Sequence, residues 1–284
     1  LQQSATARIE QVLFGGLTRR GWLGAALGVL LAPGVRGFSR EQIYRVDATI
    51  VLLGIPVFTK SDVGSGWARM AEEPGGRRLQ FAAGSWPEKA QGLNRLGFVE
   101  ERASEQGSTY FGFMTASGEE SFAEAKRALE QTGGGEAKYT AIAGEVGPGR
   151  AECRKVNFVF PAKYSWSRWE ELFPLASEAF AKEANNRPTQ AGRNNEASHS
   201  FLSTLVRHME AGEGTHSHAF VYANREMRLQ SKIGPGDGML RMDGRTMDGS
   251  KTLTRFRLWY RKGTPLPVRV DVQVRSFLRL TLRG

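Results

Sequence analysis

Seven apolar residues near the end of the chain leave little freedom of fold. Val268, Val270, Val272 and Val274 alternate with Arg269, Asp271, Gln273 and Arg275, and Leu278, Leu280 and Leu282 then alternate with Arg279, Thr281 and Arg283. A period of two collects each apolar set on one side of a strand, whereas a helix of 3.6 residues per turn would scatter it around the circumference. Upstream, strand patterns over residues 215–222, 225–233, 239–245 and 253–261 are separated by glycine-rich or proline-containing turns, and with 267–275 and 276–283 they form an antiparallel meander. Such a sheet keeps one face covered and offers the other to water.

The same period recurs at the front of the chain. Tyr44, Val46, Ala48, Ile50 and Leu52 fall on one face, with Arg45, Asp47 and Thr49 on the other, and Gly54-Ile55-Pro56 breaks or bends the strand. Residues 65–70 predict a second strand, and the turn Glu73-Pro74-Gly75-Gly76 returns the chain to a third over 79–83. Ser85-Trp86-Pro87-Glu88 reads as a cap with proline in the first turn, opening a short helix that Gly97 ends. Residues 109–115 predict a strand, Ser117 and Glu120 have capping-box spacing for a helix to Gln131, and 139–143 and 153–160 pair about Gly147-Pro148-Gly149. Ser167 and Glu170 repeat the capping spacing before a helix with Trp169, Leu172, Phe173 and Phe180 on its apolar side, and Pro174 kinks that helix or starts it afresh. Residues 184–196 read as a long surface loop, after which Ser198 caps a helix carrying Phe201, Leu202, Leu205, Val206 and Met209. The expected class is mainly β: a curved antiparallel sheet or partly closed barrel with two to four packed helices, forming a single domain over residues 38–284.

Residues 1–37 read differently. Thr18-Arg19-Arg20-Gly21-Trp22-Leu23-Gly24 precedes a small and apolar run to Ala32. The paired Arg19 and Arg20 resemble the twin-arginine export signal of bacteria, Ser/Thr-Arg-Arg-x-Phe-Leu-Lys, with Trp22 in place of the Phe and Gly24 in place of the Lys. The apolar run is far short of the roughly 20 residues that span a bilayer, so a removable signal cleaved after Gly37 is expected rather than an anchor. The resemblance implies the export machinery as a partner, a periplasmic or otherwise exported location in the bacterial envelope, and no nucleic-acid partner. The charge excess, 39 Lys and Arg against 29 Asp and Glu for a net +10, suits anionic envelope partners such as lipid head groups or acidic polymers, and serves solubility equally well.

Few residues suggest chemistry. His216 and His218 lie two apart on a strand and project the same way, as metal ligands would, but a zinc site needs about three or four protein ligands. His199 and His208 lie on the preceding helix, nine residues apart, so zinc is an alternative and no cofactor is the leading expectation. The sequence holds no His-Glu-x-x-His, nucleophile elbow, phosphate loop or dinucleotide glycine fingerprint. Cys153, the one cysteine, can form no internal disulfide; cations at Arg154 and Lys155 would lower its thiol pKa, yet no catalytic-cysteine signature surrounds it and it reads as a packed thiol. Arg255, Arg257, Arg269 and Arg275, with Arg261, Arg279 and Arg283, would line one face of the sheet with guanidinium groups suited to phosphate or carboxylate. Phe256, Leu258, Tyr260, Val268 and Val270 would line the apolar face opposite and contact an apolar ligand.

The helix from Ser198 to Met209, a glycine-marked turn, a strand pair, Phe256-Arg257-Leu258-Trp259-Tyr260, then Pro265-Leu266-Pro267-Val268-Arg269-Val270 and a final hairpin are similar to uncharacterised bacterial envelope proteins. Those proteins carry a curved antiparallel sheet that resembles the lipoprotein carriers LolA and LolB. The likeness covers residues 198–284, with a weaker echo over 44–70, and brings no catalytic residue with it. It implies a non-enzymatic exported protein that binds or carries an apolar or amphipathic ligand, or docks onto an envelope component. The alternative is an exported metalloprotein or hydrolytic enzyme using His216 and His218.

Overall fold

In the computed structural model, which describes residues 38–52, 55–90, 94–115, 136–186, 188–275 and 278–284, fourteen strands join one antiparallel sheet. The first half comprises β1 (Arg40–Leu52), β2 (Ile55–Glu73), β3 (Gly76–Ser85), β4 (Leu96–Ser104), β5 (Gly107–Thr115), β6 (Glu136–Gly147), β7 (Arg150–Pro161) and the short β8 (Gln190–Gly192). The second comprises β9 (Gly214–Tyr222), β10 (Arg225–Gly236), β11 (Met239–Asp248), β12 (Lys251–Tyr260), β13 (Pro267–Arg275) and β14 (Leu278–Arg283). Their order in space is β8-β7-β6-β5-β4-β3-β2-β1-β14-β13-β12-β11-β10-β9, so two meanders meet where β1 pairs with β14. Two α-helices are described, α1 (Trp169–Ala184) and α2 (Phe201–Ala211). The mainly β, curved-sheet architecture expected of the sequence is the one found. The export signal with Arg19 and Arg20, and the helix expected over 117–131, lie outside the described residues.

Alternation along the strands assigns α1 and α2 to opposite faces. Tyr44, Met70, Leu79, Met242, Leu258, Tyr260 and Leu282 form one cluster with Val206 and Met209 of α2. Strands as far apart in the sheet as β3 and β10 enter this cluster, which requires the sheet to curl around α2. Phe98, Phe111, Phe113, Tyr139 and Val156 point the other way and pack under Leu172, Ala176 and Phe180 of α1. Trp169 stacks on Phe113 with ring centroids 5.1–5.4 Å from those of Trp166, Trp67 and Phe113. Gly84 makes room for this layer, because a Cβ there would lie 2.3 Å from the Trp166 ring.

The inner helix is held at both ends by the sheet. Its N-cap residue, Ser200, makes no side-chain cap; instead Glu101 of β4 accepts the Ser203 N–H at 3.1 Å, and Ser108 Oγ accepts the Ser200 N–H at 2.9 Å. A carboxylate at a helix N-terminus satisfies an orphan donor and opposes the helix dipole favourably. Near the other end the Tyr260 hydroxyl donates to the Met209 carbonyl at 3.2 Å, and Arg77 pairs with Glu210 at 2.7 Å.

The roll closes through packing. Among the described residues β8 and β9 are not paired with each other. Ala219, Val221, Tyr222 and Ala223 of the β9–β10 end pack instead against Tyr110, Ile142, Val146, Ala151 and Cys153 on β5 to β7. Residues 194–200 bridge the two edges. Asn194 Nδ2 donates to the Gly147 carbonyl at 2.9 Å, the Val221 N–H donates to the His199 carbonyl at 3.0 Å, and Glu226 Oε2 accepts the N–H groups of Asn195, Glu196 and Ala197.

Several local expectations are corrected. Gly97 lies inside β4 and ends no helix, and residues 87–90 form a turn in which the Lys89 and Ala90 N–H groups both donate to the Trp86 carbonyl. The sequence hid β4 because Glu100 and Glu101 are both buried in it. The second strand runs over residues 55–73 rather than 65–70, with Pro56 beside the β1–β2 turn; its irregularity is a bulge near Asp62, which takes φ +54° and donates its N–H to Asp47 Oδ1 at 2.9 Å. The stretch read as loop contains β8. A 3-10 turn, Trp166–Arg168, precedes α1, so Ser167 bonds Ser165 instead of capping, and Pro174 sits within a continuous helix. The α2 helix starts after Ser200, not after Ser198.

Replacing Glu101 by Ala takes the acceptor from the part-buried Ser203 N–H and costs about 1–3 kcal/mol. Urea unfolding is expected to show that loss as a lower midpoint with an unchanged m-value.

Candidate functional site

The five residues expected to contact an apolar ligand lie on or near the inner face, and α2 is already there. Leu258, Tyr260 and Val270 are buried in the cluster that receives Val206 and Met209, and Phe256 meets Phe201 edge-on with centroids 6.3 Å apart. Val268 is half-buried, its carbonyl accepting the Gly284 N–H at 2.9 Å. Leu258, Tyr260 and Val270 thus share the cluster with the helix, and Phe256 also borders a hollow on the sheet.

One hollow, of about 640 Å³, runs across the outside of β9 to β14. Its floor is set by register. Gln230 faces Arg245, Arg245 faces Arg255, Arg255 faces Gln273 and Gln273 faces Arg279, so one cross-strand row holds three guanidinium groups and two amides. Arg245 Nε donates to Gln230 Oε1 at 2.9 Å, and Arg279 Nε is buried with no hydrogen-bond partner among the described residues. No carboxylate pairs with Arg245, Arg255 or Arg279 among the described residues. The next row, Lys232, Asp243, Arg257, Asp271 and Thr281, holds two carboxylates that also pair with arginines of the row beyond it. Asp243 holds Arg257 at 2.7 Å and Arg241 at 3.0 Å, Asp271 holds Arg269 at 2.9 Å, and Asp47 holds Arg283 at 3.4 Å. Arg269 also lies over the Trp259 ring at 4.4 Å. Of the four arginines expected to bind anions, Arg255 therefore stands in the uncompensated row, while Arg257 and Arg269 are ion-paired. Arg275 is placed by its backbone on β13, opposite Leu278, and its side chain is outside the described residues.

The histidines gather where α2 crosses β9. His208 is fully buried, with Nδ1 2.8 Å from Ser231 Oγ and Nε2 2.8 Å from His218 Nδ1. His216 lies 5.5 Å from His208 between ring centroids, and its Nε2 donates to the Gly212 carbonyl at 2.9 Å. His199 stays apart, donating from Nε2 to the Ser104 carbonyl. The fold thus brings His208, but not His199, to the expected pair. Among the described residues no group of three or more His, Cys, Asp and Glu side chains is placed to hold a metal ion. The imidazoles contact each other directly, and burial, with the charges of His218, His216 and Arg207, lowers the His208 pKa to about 4. His218 is lowered by burial and by Arg207, His216 and Arg228.

No protein-family model and no curated protein matches the chain. Among solved structures the chain is similar to a β-barrel-like protein of the domain of unknown function DUF1849 from Brucella abortus. The two are 8% identical with a TM-score of 0.43, over 86% of this chain and 94% of that one.

Three contributors escaped the sequence reading. Arg245 was visible only as one more polar residue of an alternating strand, Glu101 fell between the helix expected to end at Gly97 and the strand expected from 109, and His208 was a residue distant from the pair it joins. Cys153 is buried, its Sγ 3.9 Å from Gln190 Oε1, and burial raises its thiol pKa against the weaker opposite pull of Lys155, so the packed-thiol reading fits its surroundings.

The depressed His208 pKa fixes a sign. The unfolded chain binds a proton near 6.5 and the folded one only near 4, so stability is complete above pH 6.5 and is lost as pH falls from 6.5 to 4. The loss approaches about 3 kcal/mol. Urea midpoints measured between pH 7.5 and 4 are expected to fall less steeply in His208→Gln than in the wild type.

Proposed function

We propose that the protein is a non-enzymatic binding protein of the bacterial envelope that docks, through the arginine groove across β9 to β14, onto a component bearing phosphate or carboxylate groups. The observation that carries this reading is the contrast between two adjacent cross-strand rows. Like charges directly opposite on neighbouring strands destabilise a sheet. Arg245 faces Arg255 across β11 and β12 with no acid between them, although one row away Asp243 and Asp271 neutralise every guanidinium they reach. An anion seated between Arg245, Arg255 and Arg279 would relieve that repulsion and satisfy the buried Arg279 Nε with charge-assisted hydrogen bonds. Carriage of an apolar ligand on the inner face draws no support, because α2 fills it. The metalloprotein alternative draws none either, since His216 and His218 each commit a ring nitrogen to a partner within the protein.

Calorimetric titration with inorganic tripolyphosphate tests the groove. The wild type is expected to bind with an affinity that falls as salt rises. The double variant Arg255→Gln, Arg279→Gln is expected to lose at least tenfold, and Arg257→Gln, whose partner is Asp243, less than threefold. Arg255→Gln alone should leave stability unchanged or raise it by about 0.2–1 kcal/mol. Absence of binding, or an equal loss in Arg257→Gln, refutes the proposal.

A further inference from the structure

The arginine groove has a length and two unlike walls as well as a charge. Ser217, Gln230, Arg245, Arg255, Gln273 and Arg279 stand at matching register from β9 to β14, and all of them line the hollow of about 640 Å³. No acidic or apolar side chain interrupts this row. Five strand spacings make it about 24 Å long. Two residues away on each strand, about 7 Å along it, a second row of Thr215, Lys232, Asp243, Arg257 and Asp271 lines the same hollow. The residues between the rows turn their side chains to the other face, where Ser231 Oγ meets His208 and Phe256 meets Phe201, so they offer the hollow their backbone. The result is a trough roughly three times as long as it is wide. Its first wall holds three guanidinium groups and no carboxylate, and its second holds Asp243 and Asp271.

We infer that the trough holds one extended chain of an acidic polysaccharide, a polymer of uronate sugars laid across the strands, an assignment that rests on the groove reading and names its ligand. A lone phosphate or carboxylate engages the neighbouring Arg245 and Arg255 and leaves most of the length unused, whereas a linked chain fills it. The walls select the kind of chain. A uronate unit carries its carboxylate on one edge of the ring and hydroxyls on the other. The carboxylates suit the planar forks of Arg245, Arg255 and Arg279. Hydroxyls both donate and accept, and they suit the Gln230 and Gln273 amides and the Ser217 hydroxyl that flank those forks. They suit the second wall as well. Asp243 and Asp271 keep acceptor capacity beyond the bonds to their arginines, and Thr215 and Lys232 donate beside them. A phosphate chain bears charge on every unit and no hydroxyl, so the two aspartates would repel it along that wall.

Calorimetric titration of the full chain with galacturonate oligomers tests it. Affinity is expected to rise at least tenfold from the dimer to the hexamer, and to fall at least tenfold when the carboxylates of the hexamer are reduced to alcohols. Ser217→Glu sets a carboxylate at the β9 end of the trough, three strands from Arg255. It is expected to weaken the hexamer at least fivefold, while tripolyphosphate, seated at the arginines, binds within twofold of the wild type. A dimer that binds as tightly as the hexamer, or a hexamer indifferent to Ser217→Glu, overturns the inference, and tripolyphosphate binding then leaves the groove reading standing. Tighter binding of linear polyphosphate or of oligoglutamate at equal charge overturns it too, and assigns the trough to a phosphate chain or an acidic peptide. Failure of tripolyphosphate and hexamer alike removes the groove reading and the inference together.

Discussion

A sheet of fourteen strands that curls upon itself must fill its own inside, and here one eleven-residue helix does so. Tyr44, Met242, Leu258 and Tyr260 would otherwise present a broad apolar surface to water. Each large side chain so buried contributes roughly 1.5–3 kcal/mol relative to exposure. A short helix alone is marginal, because nucleation costs more than a few turns recover. The sheet supplies what α2 lacks: a carboxylate from β4 at its first turn, a tyrosine hydroxyl from β12 near its last, and apolar neighbours along its length. Helix and roll are thus each a condition of the other.

The same dependence explains how the roll ends. A sheet with unpaired edges invites pairing with other chains. This one protects its edges by overlap: Val221 points away from the inner cluster, because it alternates with Phe220, and so reaches Tyr110, Ile142 and Val146 on the opposite edge. The bridge over residues 194–200 takes up backbone groups of the β9–β10 hairpin, with one glutamate, Glu226, accepting three consecutive N–H groups. Those bonds lower the Glu226 pKa despite partial burial.

The strands were legible where one face is buried and one is wet. The six C-terminal strands were readable from alternation because β10 to β14 each set apolar side chains against α2 while the opposite side carries Arg255, Arg257 and Arg269. Alternation gave the face but not its depth: Val270 is buried while Val274, four residues on, is exposed at the rim. It failed at β4, where both faces are covered and Glu100 and Glu101 serve inside, Glu100 against Gln80 and Glu101 against α2. The arginine groove was half visible. Arg255 and Arg279 stood out as outward residues, but Arg241, Asp243 and Arg245 alternate identically along β11, and nothing local says which of them faces Arg255. Register does, and it depends on turn length and on the irregularity between Thr246 and Met247.

That register bears directly on function. A shift of two residues between β11 and β12 would preserve every inward and outward assignment, leave the core pattern intact, and set Asp243 opposite Arg255. The hydrophobic effect does not distinguish the two pairings at the level of which face is wet; the turn at residues 249–250 does. The observed register collects the acids in one row and leaves Arg245 and Arg255 facing each other in the next. Charge does not select between them, because the alternative would set Arg241 opposite Arg257 as it parted Arg245 from Arg255, and the sheet opposes one pair of guanidinium groups in either register. The repulsion persists on the outside of a sheet whose inside and whose α1 face are both densely packed, where a few tenths of a kcal/mol are carried without loss of the native state. A binding site is most easily placed at such a position, where local strain can be relieved by a ligand and the core does not depend on its relief.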